Sequence, residues 1–251
     1  MLRLVDDRVI ARDAAARRLA AARISAHGDA AGLIGYRIVD THVHLVAIGT
    51  RSAVARLVRA VELGLRADLS LPVGWDPARF VPIREQHHLD RAFHYVLRNE
   101  ARHGLAVDVL HDASALPDLL GLRVAAPYLP QRVRQVLPRV TRAQLLAHLG
   151  VDTLDPVETV AGLADAAAAA FALPHLSGGA SFPARLAAIH ACPAASSAVL
   201  AASLGVTPRA VQRSRSVECS AAAVRAVQLQ LGLRVSRGSA ALRPGVAAPA
   251  G

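Results

Sequence analysis

The chain has 251 residues, enough for one large domain or two small ones, and 53% of them are hydrophobic, which supplies ample material for a core. The formal net charge is +10 and all 29 basic residues are arginines, which favours a polyanionic partner because a guanidinium can hold a phosphate through two parallel hydrogen bonds. The two cysteines, Cys192 and Cys219, form no CxxC pair, which argues against a zinc knuckle or a disulfide framework. No apolar run is long enough to cross a membrane, Asp6 and Asp7 interrupt any signal segment, and we expect a cytoplasmic, nucleoid-associated protein.

The first 107 residues alternate between strand-like and helix-like hydrophobic patterns. In chain order they predict a strand, a helix, a strand, a helix, an edge strand and a helix at residues 2–10, 11–27, 36–48, 52–66, 79–83 and 87–103. The segment YRIVDTHVHLVAI at 36–48 has the clearest alternation of β-branched residues, and Ser52 is a candidate cap for the helix after it. The mixture predicts an α+β domain over residues 1–107.

Beyond residue 107 the strand-like alternation stops. Apolar runs interrupted by proline, and then an alanine-rich helix at 156–173, indicate a helical connector over residues 108–182. Residues 183–235 are predicted to be helical, and the Gly/Ala/Pro-rich residues 236–251 have the composition of a disordered tail. The predicted architecture is therefore one α+β domain and then an all-helical remainder.

Two histidines, His42 and His44, lie two residues apart on the predicted strand. Side chains at this spacing point to the same face, so we expect both imidazoles on one side of the sheet. Two neutral imidazoles supply half of the ligand set of a divalent metal. The same short motif also occurs on solvated sheet faces, so its meaning depends on residues further along the chain.

The local sequence DTHVHL resembles the first-strand metal motif of the amidohydrolases, which ends a strand of a TIM barrel. That fold needs about 250 residues of alternating strands and helices, and the family has further metal ligands on later strands. Here the motif begins at residue 40, and the chain shows almost no predicted strand after residue 107. We therefore reject the amidohydrolase interpretation.

The predicted helix at 87–103 supplies a second set of candidate residues. Tyr95 and Asn99 are four apart, so they share one face of that helix. The stretch HLDRAFHYVLRNEARHGL, together with the upstream RIVDTHVHLV, resembles the single-tyrosine HUH transposases of the insertion-sequence-200-like group, and especially the branch associated with repetitive extragenic palindromes. The resemblance covers about residues 1–107, and Glu100 stands where the family usually has proline.

The resemblance implies a fold, a site and a reaction. The fold is a ferredoxin-like antiparallel sheet with helices packed on one face. The site would hold Mg²⁺ or Mn²⁺ through His42, His44 and Asn99. Tyr95 would attack single-stranded or hairpin DNA, form a 5′-phosphotyrosine bond and release a 3′-hydroxyl. A single tyrosine implies one cleavage at a time in each protomer, with a homodimer as a possible working unit.

A second candidate for DNA binding is the segment SAVLAASLGVTPRAVQRSR at residues 197–215. A short apolar helix, the turn LGVT and a helix that opens at Pro208, with Thr207 as its cap, match a helix-turn-helix pattern. The side chains expected to face DNA are Arg209, Gln212, Arg213 and Arg215. The alternative is a three-helix packing unit with a solvated basic face.

Two functions remain open at this point. The leading hypothesis is a metal-dependent enzyme that cleaves and rejoins single-stranded DNA. The alternative is a non-catalytic regulator that retains the transposase shell and binds DNA through the helix-turn-helix. The two are distinguished by whether Tyr95 lies within reach of the face that carries His42 and His44.

Overall fold

The structure, a computed structural model, describes residues 1–98 and 108–241, with side chains up to residue 237. The described part is α+β, as predicted, with a three-stranded antiparallel sheet near the N-terminus and helices through the rest. The strands are β1 (Leu2–Arg3), β2 (Leu33–Val39) and β3 (His42–Ala47), and they lie in the order β1-β3-β2. The helices that surround this sheet in the first part of the chain are α1 (Ala14–Gly28), α2 (Arg51–Asp68) and α3 (Gln86–Arg98).

The single strand predicted at 36–48 is wrong, because this segment contributes to both arms of a β-hairpin. β2 and β3 pair antiparallel on either side of a turn at Asp40 and Thr41, with Arg37 opposite His44. The turn was hidden in the sequence because neither of its residues is glycine or proline, the usual turn signals. β3 is consequently the central strand of the sheet, and it begins with the two histidines.

The outer edge of β1 is covered by an irregular segment. Leu4 and Trp75 form an isolated antiparallel bridge, and the backbone N–H of Asp76 donates to the carbonyl of Arg3 at 2.9 Å. The strand predicted at 2–10 is thus limited to its first residues, and the edge strand predicted at 79–83 does not form. Pro77 has no N–H to donate to a ladder, and beyond it the N–H of Arg79 donates to the carbonyl of Met1 at 3.0 Å without forming a strand.

Helices contact both faces of the hairpin. On one face, a Cβ atom added to Gly35 would lie 3.3 Å from the ring of Phe93, so α3 packs closely on β2 there. On the opposite face, Tyr36 is fully buried, and its hydroxyl lies 3.4 Å from Ser25 Oγ of α1. Neighbouring residues of a strand point to opposite faces, which places α1 and α3 on different sides. The arrangement with helices on one face is therefore not the one that forms, because the face that carries the histidines is covered by α3.

The rest of the described chain is helical. Its helices are α4 (Leu116–Leu119), α5 (Tyr128–Val136), α6 (Arg142–Leu149), α7 (Leu163–Ala170), α8 (Phe182–Ala191), α9 (Ser197–Leu204), α10 (Pro208–Arg215) and α11 (Ala221–Ala241), with 3₁₀ turns at Asp29–Ala31 and Gly179–Ser181. The core around the sheet includes side chains up to Leu154 and also Leu229 and Leu233 of α11, whereas α7 to α11 enclose a second, alanine-rich core. The domain boundaries at residues 107 and 182 stay predictions.

Two of the predicted helical segments have different limits. The alanine-rich helix predicted at 156–173 begins only at Leu163, because Gly162 adopts φ +71°, outside the helical region. At the other end of the chain, α11 extends to Ala241, so the first residues of the predicted disordered tail are helical. The remainder of that tail, residues 242–251, lies outside the described residues.

Helix caps agree with the local sequence, with one correction. α2 begins at Arg51, and its cap is Thr50, whose hydroxyl accepts from the N–H of Ala53 at 3.3 Å; the predicted cap, Ser52, lies inside the helix. In α10 the predicted cap is confirmed, because Thr207 Oγ1 accepts from the N–H of Ala210 at 3.2 Å. Both caps satisfy one of the N–H groups that a helix start leaves without an intrahelical partner.

An ion-pair chain connects the two cores. Arg18 of α1 lies 3.1 Å from Asp112 and 2.6 Å from Asp165 of α7, and Arg234 of α11 lies 2.6 Å from the same Asp165 carboxylate. Asp165 therefore joins the first helix of the described residues, α1, to the last, α11. None of the described helices is both long enough and apolar enough to span a membrane.

Candidate functional site

β3 places His42 and His44 on one face of the sheet. Their ring centroids are 6.1 Å apart and their planes differ by 29°, while Val43 between them is fully buried on the other face. Thr41 Oγ1 lies 2.7 Å from His42 Nδ1. An Nδ1–H that donates to this hydroxyl leaves the lone pair on Nε2, the tautomer that a metal ligand requires.

His44 is held in its neutral form. Burial, the positive charge of the N-terminal ammonium and the neighbouring His42, in that order, lower the pKa of His44 to about 4. At neutral pH its imidazole therefore carries a single proton, and one of its two ring nitrogens has a lone pair. The two histidines together present the donor type that zinc, manganese and similar divalent ions bind.

Tyr95 lies against this pair from the tyrosine helix α3. Its ring meets that of His44 edge-on, with centroids 6.0 Å apart and planes at 82°. The Tyr95 side chain is 60% exposed, while Phe93, Val96 and Leu97 anchor α3 in the core. The phenol is thus exposed to solvent on a helix that is anchored in the core.

Arg37 links the histidine strand to the tyrosine helix. It lies opposite His44 in the hairpin and is 4% exposed. Its Nη1 donates to the carbonyl of Leu97 at 3.1 Å and lies 2.8 Å from His111 Nδ1. Burial, followed by the charges of Arg37, Arg237 and His148, lowers the pKa of His111 to about 3, so a neutral His111 can accept from the guanidinium. Arg37 was not predicted as a site residue, although a charged residue within the apolar run LIGYRIV was a signal.

The predicted third ligand, Asn99, lies outside the described residues, and its role stays a prediction. Among residues 1–98 and 108–241, no group of three or more His, Cys, Asp or Glu side chains is arranged to hold a metal. The described part of the candidate site is therefore the two histidines, Tyr95 and the Arg37 link.

A second histidine pair, also missed from the sequence, joins α3 to α6. His94 Nδ1 lies 2.8 Å from His148 Nε2, and Arg98 Nε donates to His148 Nδ1 at 3.2 Å. Because His148 Nδ1 accepts from Arg98, its Nε2 must carry the proton that it donates to His94. Burial, then Arg98 and His94, lowers the pKa of His148 to about 4, which agrees with a neutral ring. The two histidines are distant in sequence, so no local pattern could have paired them.

The side chains predicted to face DNA lie on α10. This helix comes after α9 and a short turn that Gly205 opens with φ +64°, and Val211 anchors it in the second core. All four predicted side chains are exposed on this helix: Arg209, Gln212, Arg213 and Arg215. Arg215 also donates to the carbonyl of Ala195, which uses part of its donor capacity within the chain.

No protein-family model matches this chain, and neither a characterised protein nor a solved structure was found to match it. The chemistry of the site is therefore argued from its own geometry. The two imidazoles lie on one sheet face, imidazole is a common ligand of divalent cations, and the exposed Tyr95 ring lies beside His44.

Proposed function

We propose that the protein is a metal-dependent enzyme that cleaves and rejoins single-stranded DNA through Tyr95, in the manner of the single-tyrosine HUH transposases. The observation that carries the proposal is the contact of Tyr95 with His44, whose ring centroids are 6.0 Å apart. The two residues belong to a helix and a strand that are distant in sequence. Nothing in the local pattern of either element requires them to meet.

The order of the sheet supports the proposal. The segment at Trp75 neighbours β1, β1 neighbours β3, and β3 neighbours β2. Helix α1 connects β1 to β2, and α2 connects β3 to the Trp75 segment. A β-α-β-β-α-β chain with this order of antiparallel neighbours is the arrangement that a ferredoxin-like sheet requires. We therefore propose a ferredoxin-like order of strands for the first part of the chain, with α3 as an additional helix on the face that carries the histidines.

The donor set fits a divalent metal. His42 and His44 would hold it, with Asn99 as the proposed third ligand, and Mn²⁺ suits imidazole better than Mg²⁺ does. When bound, such an ion polarises the scissile phosphate as a Lewis acid. Thr41 orients the His42 ring through its 2.7 Å contact at Nδ1, and burial keeps His44 unprotonated. Each histidine therefore has a neighbour or an environment that prepares it for this role.

Tyr95 carries the chemical step. Its phenolic oxygen attacks phosphorus, the new oxygen–phosphorus bond forms, and the bond from phosphorus to the 3′ oxygen of the preceding nucleotide breaks. The phenol gives up its proton, and the leaving oxygen gains one and becomes a 3′-hydroxyl. The 5′ phosphate stays on Tyr95 as an ester, and attack by a 3′-hydroxyl on that ester reverses the step and rejoins a strand. Arg37 holds the last turn of α3 near the sheet, and so holds the tyrosine helix beside His44.

The exposed basic helix α10 favours a second candidate, a non-catalytic DNA-binding regulator. Arg209, Gln212 and Arg213 project from a helix that lies one short turn beyond α9, an arrangement suited to entry into a major groove. We propose that α9 and α10 form a helix-turn-helix that places the protein on duplex or hairpin DNA. In the enzyme this helix-turn-helix would bind DNA for cleavage at Tyr95, and in a regulator it would bind DNA without any cleavage.

The test is a covalent-adduct assay. Purified protein is incubated with Mn²⁺ and labelled single-stranded hairpin DNA from the gene's own flanks, and the products are separated on a denaturing gel. We expect a slowly migrating protein–DNA band that is absent with Tyr95→Phe and with His44→Ala. Tyr128→Phe is the matched control, because this tyrosine lies on α5 and its hydroxyl donates to the carbonyl of Ser25 of α1, and the band should persist.

The outcomes separate the two candidates. DNA binding without an adduct, in a protein whose circular dichroism is that of a folded chain, would favour the regulator. An adduct that survives Tyr95→Phe would exclude Tyr95 as the nucleophile. Neither adduct nor binding, on flanking or control DNA, would overturn both candidates.

A further inference from the structure

A cleft lies between α8 and α10, away from the histidines and Tyr95. Its volume is about 430 Å³. Most of the side chains that line it are apolar, and two are arginines. The lining includes Phe182, Ile189, Val206, Val217, Arg185 and Arg213. The size is within the range of about 300–1,000 Å³ that is typical of small-molecule sites.

The apolar walls are open to solvent. Phe182 is 45% exposed and Val217 is 41% exposed, although both are large hydrophobic residues and both line the same cleft. A concave surface with clustered exposed apolar side chains is typical of a place where an apolar partner is bound. Ile189 is buried and closes the floor, so the apolar surface continues into the second core.

The charges at the cleft are all of one sign. Arg185 donates to the carbonyls of Leu176 and Gly178, both at 3.1 Å, so its guanidinium is held in place by neutral acceptors that leave its charge uncompensated. Arg213 has no carboxylate partner within the part of the chain that the structure describes. Among the described residues, no acidic side chain lines the cleft. The charge of any ligand that fills it is therefore expected to be negative.

We infer that this cleft binds a small organic anion with an apolar body. Arg213 and Arg185 hold the carboxylate, sulfonate or phosphate group, and the body lies between Phe182 and Val217. A guanidinium can give two parallel hydrogen bonds to such a group, and the apolar contacts add burial energy. The site needs neither Tyr95 nor the histidines, so it stands whether or not the chain cleaves DNA. If α10 does contact DNA, an anion on Arg213 competes with a phosphate.

The test compares two fluorescent probes on the full chain. 1-Anilinonaphthalene-8-sulfonate combines an apolar body with one anionic group, and N-phenyl-1-naphthylamine is the same body without the sulfonate. We expect saturable binding of the sulfonate at one site per chain, weakened about tenfold by Arg213→Gln, which corresponds to the loss of one charge-assisted contact. The neutral probe should bind more weakly and should not respond to Arg213→Gln.

Two further variants locate the site. Ala210→Trp fills the cleft from α10 and should abolish binding of both probes. Arg209→Gln is the matched control, because Arg209 is exposed on the same helix but does not line the cleft, and sulfonate affinity should stay at the wild-type value. Equal effects of the two arginine variants would overturn the inference, and so would binding without saturation. Should Ala210→Trp fail to fold, the comparison of Arg213→Gln with Arg209→Gln on the two probes decides by itself.

Discussion

The region around the sheet, which extends to Leu154, and the helical region of α7 to α11 are stabilised in different ways. In the described residues, every buried charged side chain precedes residue 124, and the helical region buries only Ser181 and Gln230 among its polar residues. Burying a charge is costly unless it is paired and hydrogen-bonded, whereas alanine and leucine pack without such requirements. The buried charges therefore lie in the half that carries the candidate site, where specific partners fix the positions of β3 and of the tyrosine helix.

The clearest example is Arg123 in the sheet region. It is fully buried and lies 2.5 Å from the carboxylate of Asp118 and 2.6 Å from the hydroxyl of Tyr36, and it also donates to the carbonyls of Asp112 and Ser114. Burial is the main cause that raises the pKa of Tyr36, and the positive charge of Arg123 only partly opposes it. The network joins β2 to the segment that leads into α4.

Breaking this network should give the largest effect. We expect Arg123→Met to lower the free energy of unfolding by about 3–5 kcal/mol, because it leaves the Asp118 carboxylate buried without its main partner. The double variant Arg123→Met/Asp118→Leu should recover part of that loss, since it removes both charges. Urea unfolding followed by circular dichroism measures the difference. A loss below about 1 kcal/mol for the single variant would show that the sheet region does not depend on its buried charges.

Two helical glycines provide an intermediate test that compares the regions directly. Alanine in place of a helical glycine usually stabilises by about 0.5–1 kcal/mol. At Gly232 of α11 a Cβ atom would overlap the backbone carbonyl of Asp155, whereas at Gly64 of α2 it would meet only the flexible side chain of Arg23. We expect Gly232→Ala to destabilise by about 1–3 kcal/mol and Gly64→Ala to be near neutral, because only a side chain can move aside.

Thermal unfolding of the two variants under one set of conditions is the measurement, and Gly64→Ala serves as the matched control for Gly232→Ala. Stabilisation by both substitutions would mean that α11 does not approach Asp155 as closely as the structure has it. The second core would then be less tightly packed than the first.

Acid should weaken the sheet region before the helical region, and we expect this effect to be smaller than the effects of the substitutions above. The pKa values of His148 and His111 are lowered to about 4 and about 3, mainly by burial, whereas an unfolded histidine titrates near its ordinary value of about 6.5. Between these folded and unfolded pKa values, the folded chain therefore binds fewer protons than the unfolded chain. The stability that the two neutral histidines contribute is fully present above about pH 6.5 and is lost as the pH falls towards about 4.

Hydrogen exchange at pH 7 and pH 5 can locate the loss. We expect amides of α3 and α6 to lose protection at pH 5, while α7 to α11 change little, because no histidine of the helical region is fully buried within the described residues. In His148→Gln the pH dependence at α3 and α6 should shrink. An equal loss of protection in both regions would contradict the assignment to these histidines.

Much of the secondary structure could be predicted because its signals are local. The helices α1, α2 and α3 begin within three residues of the predicted positions, since hydrophobic period and capping residues act over one or two turns. The hairpin was missed because Asp40 and Thr41 continue the alternation of the strands without a glycine or proline. The edge pairing was predicted at 79–83 but forms near Trp75. The segment that covers β1 depends on where the chain leaves α2, and no local sequence pattern encodes that position.

The sequence by itself determined that His42 and His44 share a face, because a strand has a period of two, and that Thr207 caps a helix that exposes Arg209 and Arg213. Only the tertiary structure decided that Tyr95 lies against His44, that Arg37 ties their two elements together, and that a cleft opens between α8 and α10. The physical reason is the separation along the chain over which each kind of interaction acts. Periodicity and capping are set by covalent neighbours, whereas these contacts join residues brought together only when the chain buries its apolar surface as a whole.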